Sequence, residues 1–239
     1  MNKADVIVLA AGKGTRMMAD TNKMFLSIKN VPILYRTLFR LNQHARIGQI
    51  FVVCREEEKR IIKEMVKKHG PIEKLSQYIS GGKERCDSVR NGLMAVLQNA
   101  EGKLVMTHDG ARPFFSLGLI DRLIDSIKDE KISIPVIGIS ETLRRMRKNG
   151  RTEVVDRQST YLVQTPQLFS TEMIPSCFLS NRSRNQILTD EASYFEAAGK
   201  EVVMINGEKW NIKITTPEDI EWAECLLNRY PDLRLKNLD

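Results

Sequence analysis

The sequence is poor in aromatic residues: Phe, Trp and Tyr together fill only 6% of its 239 positions. A core of that composition must be assembled from Ile, Leu, Val, Met and Ala, which favours buried parallel strands over an aromatic-rich β-barrel. Cysteine is scarce as well. Cys54, Cys86, Cys177 and Cys225 are scattered with no CxxC spacing, which argues against a zinc site and fits reduced, packed thiols in a cytosolic protein. No apolar stretch approaches the ~20 residues that a membrane span requires. The apolar run Val6–Ala11 is too short for a secretory signal and is followed by Gly-Lys-Gly, not by a cleavage site. The expectation is a soluble, cytoplasmic chain with no membrane partner. His44, His69 and His108 lack metal-ligand spacing, and no G-x-S-x-G elbow occurs, so zinc and covalent catalysis find no support.

What is present reads as a globular α/β chain. Hydrophobic residues make up 42% and charged residues 28%, and the length suits one domain over residues 1–239. The net charge of +7 admits a nucleic-acid binder, a basic solvated surface, or a pocket for anionic small molecules such as triphosphates. Val6–Leu9, Ile50–Cys54, Lys103–Thr107, Ile132–Ile139 and Glu201–Ile205 read as strands. Helical spacing marks Pro32–His44, Glu56–Lys68, Arg85–Gln98 and Leu117–Ser126. Thr216 is placed as an N-cap with Pro217 at the first helical position. Alternation of this kind predicts a mostly parallel sheet with helices on both faces. Glu141–Arg157 breaks the pattern. It carries Arg144, Arg145, Arg147, Lys148 and Arg151 around Asn149-Gly150, a pair suited to a two-residue type I′ turn. A β-hairpin arm standing off the sheet is expected there.

Three clusters carry chemistry. The first strand runs into Ala10-Ala11-Gly12-Lys13-Gly14-Thr15-Arg16, with Lys23 a few residues on. Glycines after a strand let backbone N–H groups approach phosphate oxygens. The segment matches neither the P-loop nor the dinucleotide fingerprint, which would need a glycine where Met17 stands. The second cluster, Gly81-Gly82-Lys83-Glu84-Arg85 with Asp87-Ser88, opens a helix whose N-terminus favours anions. The third, His108-Asp109-Gly110-Ala111-Arg112-Pro113, follows a strand directly, at the end of a parallel sheet where ligands bind. Asp109 there could hold magnesium or a ribose hydroxyl, Arg112 could grip a phosphate, or the two could simply pair at the surface. Thr189-Asp190-Glu191 caps a helix, and Lys213 lies before Thr216 on a strand with either face open to it.

In order, the segments AAGKGTRM, GGKERCDSV, HDGARP, QTPQLF, TDEAS and NIKITTPED resemble the 2-C-methyl-D-erythritol 4-phosphate cytidylyltransferases from Val6 to about Leu227. The resemblance implies a single Rossmann-like nucleotidyltransferase domain, a β-hairpin arm over about 141–157, and magnesium-dependent transfer from CTP to a polyol phosphate. It implies Arg16, Lys23 and Lys213 as catalytic cations. Ala10, Ala11, Gly12, Gly14, Gly82, Lys83, Ser88 and Asp109 would hold the nucleotide, with Asp109 also toward the metal. Asp109, Arg112, Thr165, Thr189 and Lys213 would surround the polyol phosphate. Thr142 and Arg157 would reach the site of a partner in a homodimer joined through the arm.

The sequence departs from the family pattern in three places. Asn22-Lys23-Met24 replaces the usual Pro-Lys-Gln, which questions the rigidity of that loop; Lys83 stands where an acid is common; and Gly110 replaces a common Ala, expected to be harmless. Lys23 and Arg16 are both expected to be exposed. The ribitol-5-phosphate cytidylyltransferases share much of the motif set, but Ala10-Ala11-Gly12, Gly110-Ala111 and TDEAS lean away from them. A nucleic-acid-binding arm would need aromatics among its cations for stacking, and Arg144–Arg151 has none.

Overall fold

A computed structural model describes residues 2–12, 22–99, 102–127, 131–179 and 189–235; the expected contributions of Gly14 and Arg16 lie outside these residues. The apolar run Ala4–Leu9 forms β1, buried at every position. It pairs in parallel with β4 (Ile47–Cys54) on one side and β6 (Leu104–Asp109) on the other, and β4 continues in parallel to β5 (Leu75–Ser80). Burial on both faces explains why β1, β6 and the Ile50–Cys54 end of β4 read as largely apolar runs.

Alternation along β1 sorts its side chains between two layers. Ala4, Val6 and Val8 join Leu34 and Leu38 of α1 (Ile33–Gln43), Ile62 of α2 (Lys59–His69) and Leu119 and Leu123 of α4 (Leu117–Ser126). Ile7 and Leu9 join Val89, Leu93 and Val96 of α3 (Arg85–Asn99) and Phe195 of α5 (Glu191–Ala197). Truncating a fully buried member such as Leu38 or Leu93 to Ala would cost about 2–5 kcal/mol. A third cluster joins Phe114 and Ile214 to Ala223 and Leu227 of α6 (Pro217–Arg229) and fixes the segment that carries Lys213. The expected cap of α6 is present: Thr216 and Asp219 form a reciprocal capping box with Pro217 in the first turn.

The other half of the sheet is mixed. β7 (Ile132–Gly138) pairs in parallel with β12 (Val202–Asn206), and β11 (Gln167–Ser170) runs antiparallel between β7 and β6. β10 (Tyr161–Val163) continues the β11 side of β7, also antiparallel. The line breaks between β10 and β11 opposite Pro135, whose carbonyl accepts the Gln164 N–H but which has no N–H to return. β5, β10 and β11 are short and partly polar, and periodicity alone did not mark them.

The arm is a hairpin of β8 (Leu143–Met146) and β9 (Thr152–Val155), a two-stranded sheet of its own. Its turn corrects the sequence expectation. Arg147 and Arg151 close a three-residue loop in which Gly150 N–H donates to the Arg147 carbonyl, and Gly150, not Asn149, has positive φ. That is a tight turn followed by a glycine bulge, not a type I′ pair. The two-residue turn with both φ positive lies instead at Lys29-Asn30, joining β2 (Ser27–Ile28) to β3 (Val31–Pro32) with no glycine at all. The thiols are also less uniformly packed than expected: Cys54 and Cys177 are buried, but Cys225 is exposed. Burial pushes the Cys54 thiol up to about 12.

Candidate active site

The carboxyl ends of β1, β4 and β6 open into a cleft of two compartments. The larger, about 810 Å³, is lined by Ala11, Gly12, Lys23, Arg55, the Gly81–Arg85 turn, Ser88, Asp109 and Lys213. The smaller, about 250 Å³, is lined by Arg112, Thr165, Gln167, Thr189 and Asp190. Arg85, Asp109 and Lys213 face both, so the compartments meet at these three charges.

The wall of the larger compartment is backbone at close quarters. A Cβ on Gly81 would lie 2.5 Å from Ala11 Cβ, and one on Gly82 would lie 2.0 Å from Asp87 Cβ; neither position admits a side chain without movement. The Gly82 N–H donates to Ser88 Oγ at 3.0 Å, and that hydroxyl donates on to the Glu84 carbonyl at 3.2 Å. Ser88 therefore shapes the turn as well as lining the cavity. Lys83 is exposed at the rim, and Ala10 is buried behind the wall, with its N–H on the Val53 carbonyl.

Lys23 corrects the expectation of exposure. It is buried, and its Nζ donates to the Ile214 carbonyl at 2.9 Å. That contact sets it against the segment carrying Lys213, whose side chain points into the cleft and places Nζ 2.9 Å from Asp109 Oδ2. Arg112 Nε approaches the same oxygen at 3.2 Å. The Asp109–Arg112 pair thus exists, but inside the cleft and nearly buried, not at the surface. Burial alone would raise the Asp109 carboxyl, but Lys213, Arg112 and Arg85 overcome it and hold the group well below the usual carboxylate range.

A buried polar chain supports these charges. His108 Nε2 faces the Arg112 carbonyl at 3.1 Å, and only a donor satisfies a carbonyl, so the proton sits on Nε2. Burial pushes the imidazole down to about 4, so Nδ1 is a bare acceptor. Thr165 donates its hydroxyl to Nδ1 at 3.0 Å and accepts the Asp109 N–H at 3.0 Å. Asn211 Nδ2 holds the Thr165 carbonyl at 2.9 Å, and the Asn211 carbonyl takes Arg112 Nη1 at 2.9 Å. Thr165 and Arg112 are therefore fixed from two sides.

Sequence reasoning left Arg85 and Glu191 unassigned, although both stand inside the quoted motifs. Arg85 grips Glu191 as a fork, at 2.9 and 3.1 Å, and Glu191 is fully buried. The pair ties the start of α3 to the start of α5, where Asp190 caps the helix and Gln167 holds both Asp190 Oδ2 and the Ala192 N–H. Thr189 is thereby set at the rim of the smaller compartment. Thr142 and Arg157 are exposed and line neither compartment of their own chain.

A cleft at the carboxyl end of a largely parallel sheet, with a glycine wall on one side and cations converging where two compartments meet, is the ligand site of an α/β protein built to take anionic substrates. Likeness to known proteins makes that class a nucleotidyltransferase. The model of the family "IspD: 2-C-methyl-D-erythritol 4-phosphate cytidylyltransferase" matches residues 4–229. A 2-C-methyl-D-erythritol 4-phosphate cytidylyltransferase from Clostridium botulinum (strain 657 / Type Ba4) is 37% identical over 96% of this chain and 99% of its own length. One from Alkaliphilus metalliredigens is 37% identical over 97% of this chain and 95% of its own. Among solved structures, 4-diphosphocytidyl-2C-methyl-D-erythritol synthase from Anaerococcus prevotii superposes with a TM-score of 0.81 at 29% identity, covering 95% of this chain and 97% of that one. The Francisella tularensis enzyme superposes at 0.77 with 29% identity, covering 94% and 99%. The chain belongs to the 2-C-methyl-D-erythritol 4-phosphate cytidylyltransferase (IspD) family.

Proposed function

We propose that this chain transfers the cytidylyl group of CTP to 2-C-methyl-D-erythritol 4-phosphate, forming 4-diphosphocytidyl-2-C-methyl-D-erythritol for isoprenoid synthesis and releasing pyrophosphate. The observation that carries the reading is the family match across nearly the whole chain, and the two-compartment cleft suits it. CTP would occupy the larger compartment, with its phosphates against the Gly81–Gly82 turn and Lys23. The polyol phosphate would lie in the smaller one, among Arg112, Thr165 and Thr189. A phosphate oxygen of the polyol attacks the α-phosphorus, a new P–O bond forms, and the bond to the β-phosphate oxygen breaks with its electron pair leaving on pyrophosphate. The protein need supply no nucleophile; its work is positioning and cancellation of negative charge. Lys23 and Lys213, with Arg16, would supply that charge.

Magnesium suits this donor set. Among the described residues no group of three His, Cys, Asp or Glu side chains could hold a metal, and magnesium is commonly bound by one or two carboxylates together with substrate phosphates. Asp109 would be the protein ligand, and the bound ion would neutralise the triphosphate. Pyrophosphate release measured across a matrix of nucleotides and polyol phosphates, with and without Mg²⁺, tests the assignment. Fastest turnover with CTP and methylerythritol phosphate is expected; faster turnover with ribitol 5-phosphate would reassign the acceptor.

The same reading makes the chain a cytoplasmic homodimer joined through the arm. An exposed two-stranded hairpin is marginal alone, and Met146, Val154, Tyr161, Leu162 and Val163 present apolar surface on the arm and on β10. Twofold exchange of arms would cover that surface and bring Thr142 and Arg157 to the neighbouring cleft. Mixing inactive Lys23→Ala chains with inactive Arg157→Ala chains, with subunit exchange verified by tags, should restore up to about a quarter of wild-type activity for random symmetric pairing. No recovery despite exchange would mean that each arm serves its own chain.

A further inference from the structure

The turn that carries Lys23 is anchored by Asn22, which stands where the family usually has proline, and by Glu58, which none of the motifs includes. Asn22 is 5% exposed and uses both ends of its amide. Its Oδ1 accepts the Met24 N–H at 3.2 Å, which caps the single 3-10 turn Lys23–Phe25. Its Nδ2 donates to Glu58 Oε1 at 2.7 Å. Glu58 is 3% exposed and receives the Arg55 guanidinium on the same oxygen, while its Oε2 takes the Arg55 N–H at 3.3 Å. Arg55 lines the larger compartment. The root of Lys23 is thus tied through Asn22 and Glu58 to Arg55, which lines the same compartment, and its head rests on the Ile214 carbonyl.

We propose that Asn22 and Glu58 are positioning residues for Lys23. Their buried, charge-assisted hydrogen bond fixes the turn from which the lysine reaches the transferring phosphoryl group. The role rests on the catalytic reading of Lys23 given above. A lysine stem has four rotatable bonds, so directed charge at Nζ requires that its backbone be held. Asn22 has φ −58° and ψ 126°, a φ within the range a proline ring imposes. A proline there would fix the same turn with no side-chain hydrogen bond, and this separates turn geometry from the amide itself.

The test measures kcat, KM for CTP and melting temperature for Asn22→Ala, Asn22→Pro and Lys23→Ala in the full chain. Asn22→Ala should lower kcat by about tenfold, as expected when a reacting group is displaced by a fraction of an ångström, with KM for CTP within about twofold. Asn22→Pro should recover most of that loss. If the proline variant melts early, Asn22→Ser, which keeps an oxygen for the Met24 N–H, replaces it as the rescue and should fall between alanine and wild type. Normal kcat in Asn22→Ala beside a slow Lys23→Ala overturns the positioning role and leaves Lys23 catalytic. Normal kcat in Lys23→Ala removes the catalytic reading, and this role falls with it. A folded rescue variant no faster than Asn22→Ala also overturns the proposal.

Discussion

The two compartments of the cleft are built by opposite means. The larger is walled by main chain: Gly81 and Gly82 press so closely on Ala11 and Asp87 that no Cβ fits, and the Ser88 hydroxyl stitches the turn shut. The smaller is lined by side chains such as Arg112, Thr165, Gln167 and Asp190, held from behind by His108 and Asn211, with Arg85 of the Arg85–Glu191 fork among its lining. A main-chain wall fits an extended anion such as a triphosphate, because N–H groups can follow it without side-chain entropy. A side-chain wall fits a small branched polyol, because each hydroxyl can be answered by a placed group. Where the two meet, charge replaces both: Asp109, Lys213 and Arg85 share the junction.

The largest effect should come from breaking the fork, and it should be asymmetric. Arg85→Met leaves the fully buried Glu191 carboxylate without its partner, a loss of about 3–5 kcal/mol. Thermal unfolding should register it as a fall of roughly 10 °C or more for a chain of this size. Glu191→Gln leaves Arg85, whose side chain is 36% exposed and can hydrate, so about 1 kcal/mol is expected. Equal, small losses in the two variants would show that the fork does not hold the smaller compartment together.

Gly82→Ala breaks the other wall. Its Cβ would overlap Asp87 at the start of α3, and opening the turn should cost about 1–3 kcal/mol, the usual scale of overpacking. KM for CTP should rise several-fold while KM for the polyol phosphate barely moves. Equal shifts in both constants would mean that the compartments are not separately built.

This difference in construction also explains what could be read from the sequence. A wall made of backbone leaves a local mark: adjacent glycines between a strand and a helix, as at Gly81-Gly82, stand out without any fold. A relay made of residues 108, 112, 165 and 211 leaves none, since nothing in the spacing of Thr165 or Asn211 says that they meet. There the ordered motif set carried the assignment of Arg112 and Thr165, while His108 and Asn211 were given no role. In the parallel half β1, β4 and β6 were legible because strands largely buried on both faces read as apolar runs; partly exposed β5 was not, nor was β11, four residues inserted antiparallel between β6 and β7. The exposure expected of Lys23 failed for a related reason. A lysine beside a glycine turn looks solvated until the distant Ile214 carbonyl is folded against it. The turn at Asn149-Gly150 failed locally instead, since the pair fits two hairpin loops and the sequence does not choose between them.

The smallest effect concerns the point where the walls touch. Gly110 follows Asp109, and its main chain is fixed by the N–H on the Leu9 carbonyl at 3.0 Å and the carbonyl on Thr37 Oγ1 at 2.8 Å. An alanine is common here in the family and was expected to be harmless. In this chain a Cβ would meet Leu34 Cδ1 and the Leu9 carbonyl at 3.1 Å, and Met24 Sδ at 3.4 Å. The Leu34 and Met24 contacts are ends of side chains that can retreat; the Leu9 contact is strand backbone that cannot. Against this, alanine restricts the unfolded chain and returns about 0.4–1 kcal/mol where the native φ allows it. The two effects nearly cancel, so Gly110→Ala should lower stability by less than about 1 kcal/mol, or about 2–4 °C at most. Turnover should hold, because Asp109 is kept in place by its pairing with Leu9 and by Thr165. A rise in melting temperature would show that Leu34 and Met24 give way freely. A loss of several kcal/mol with a fall in kcat would show instead that the Leu9 carbonyl sets the register on which Asp109, and with it the junction of the two compartments, depends.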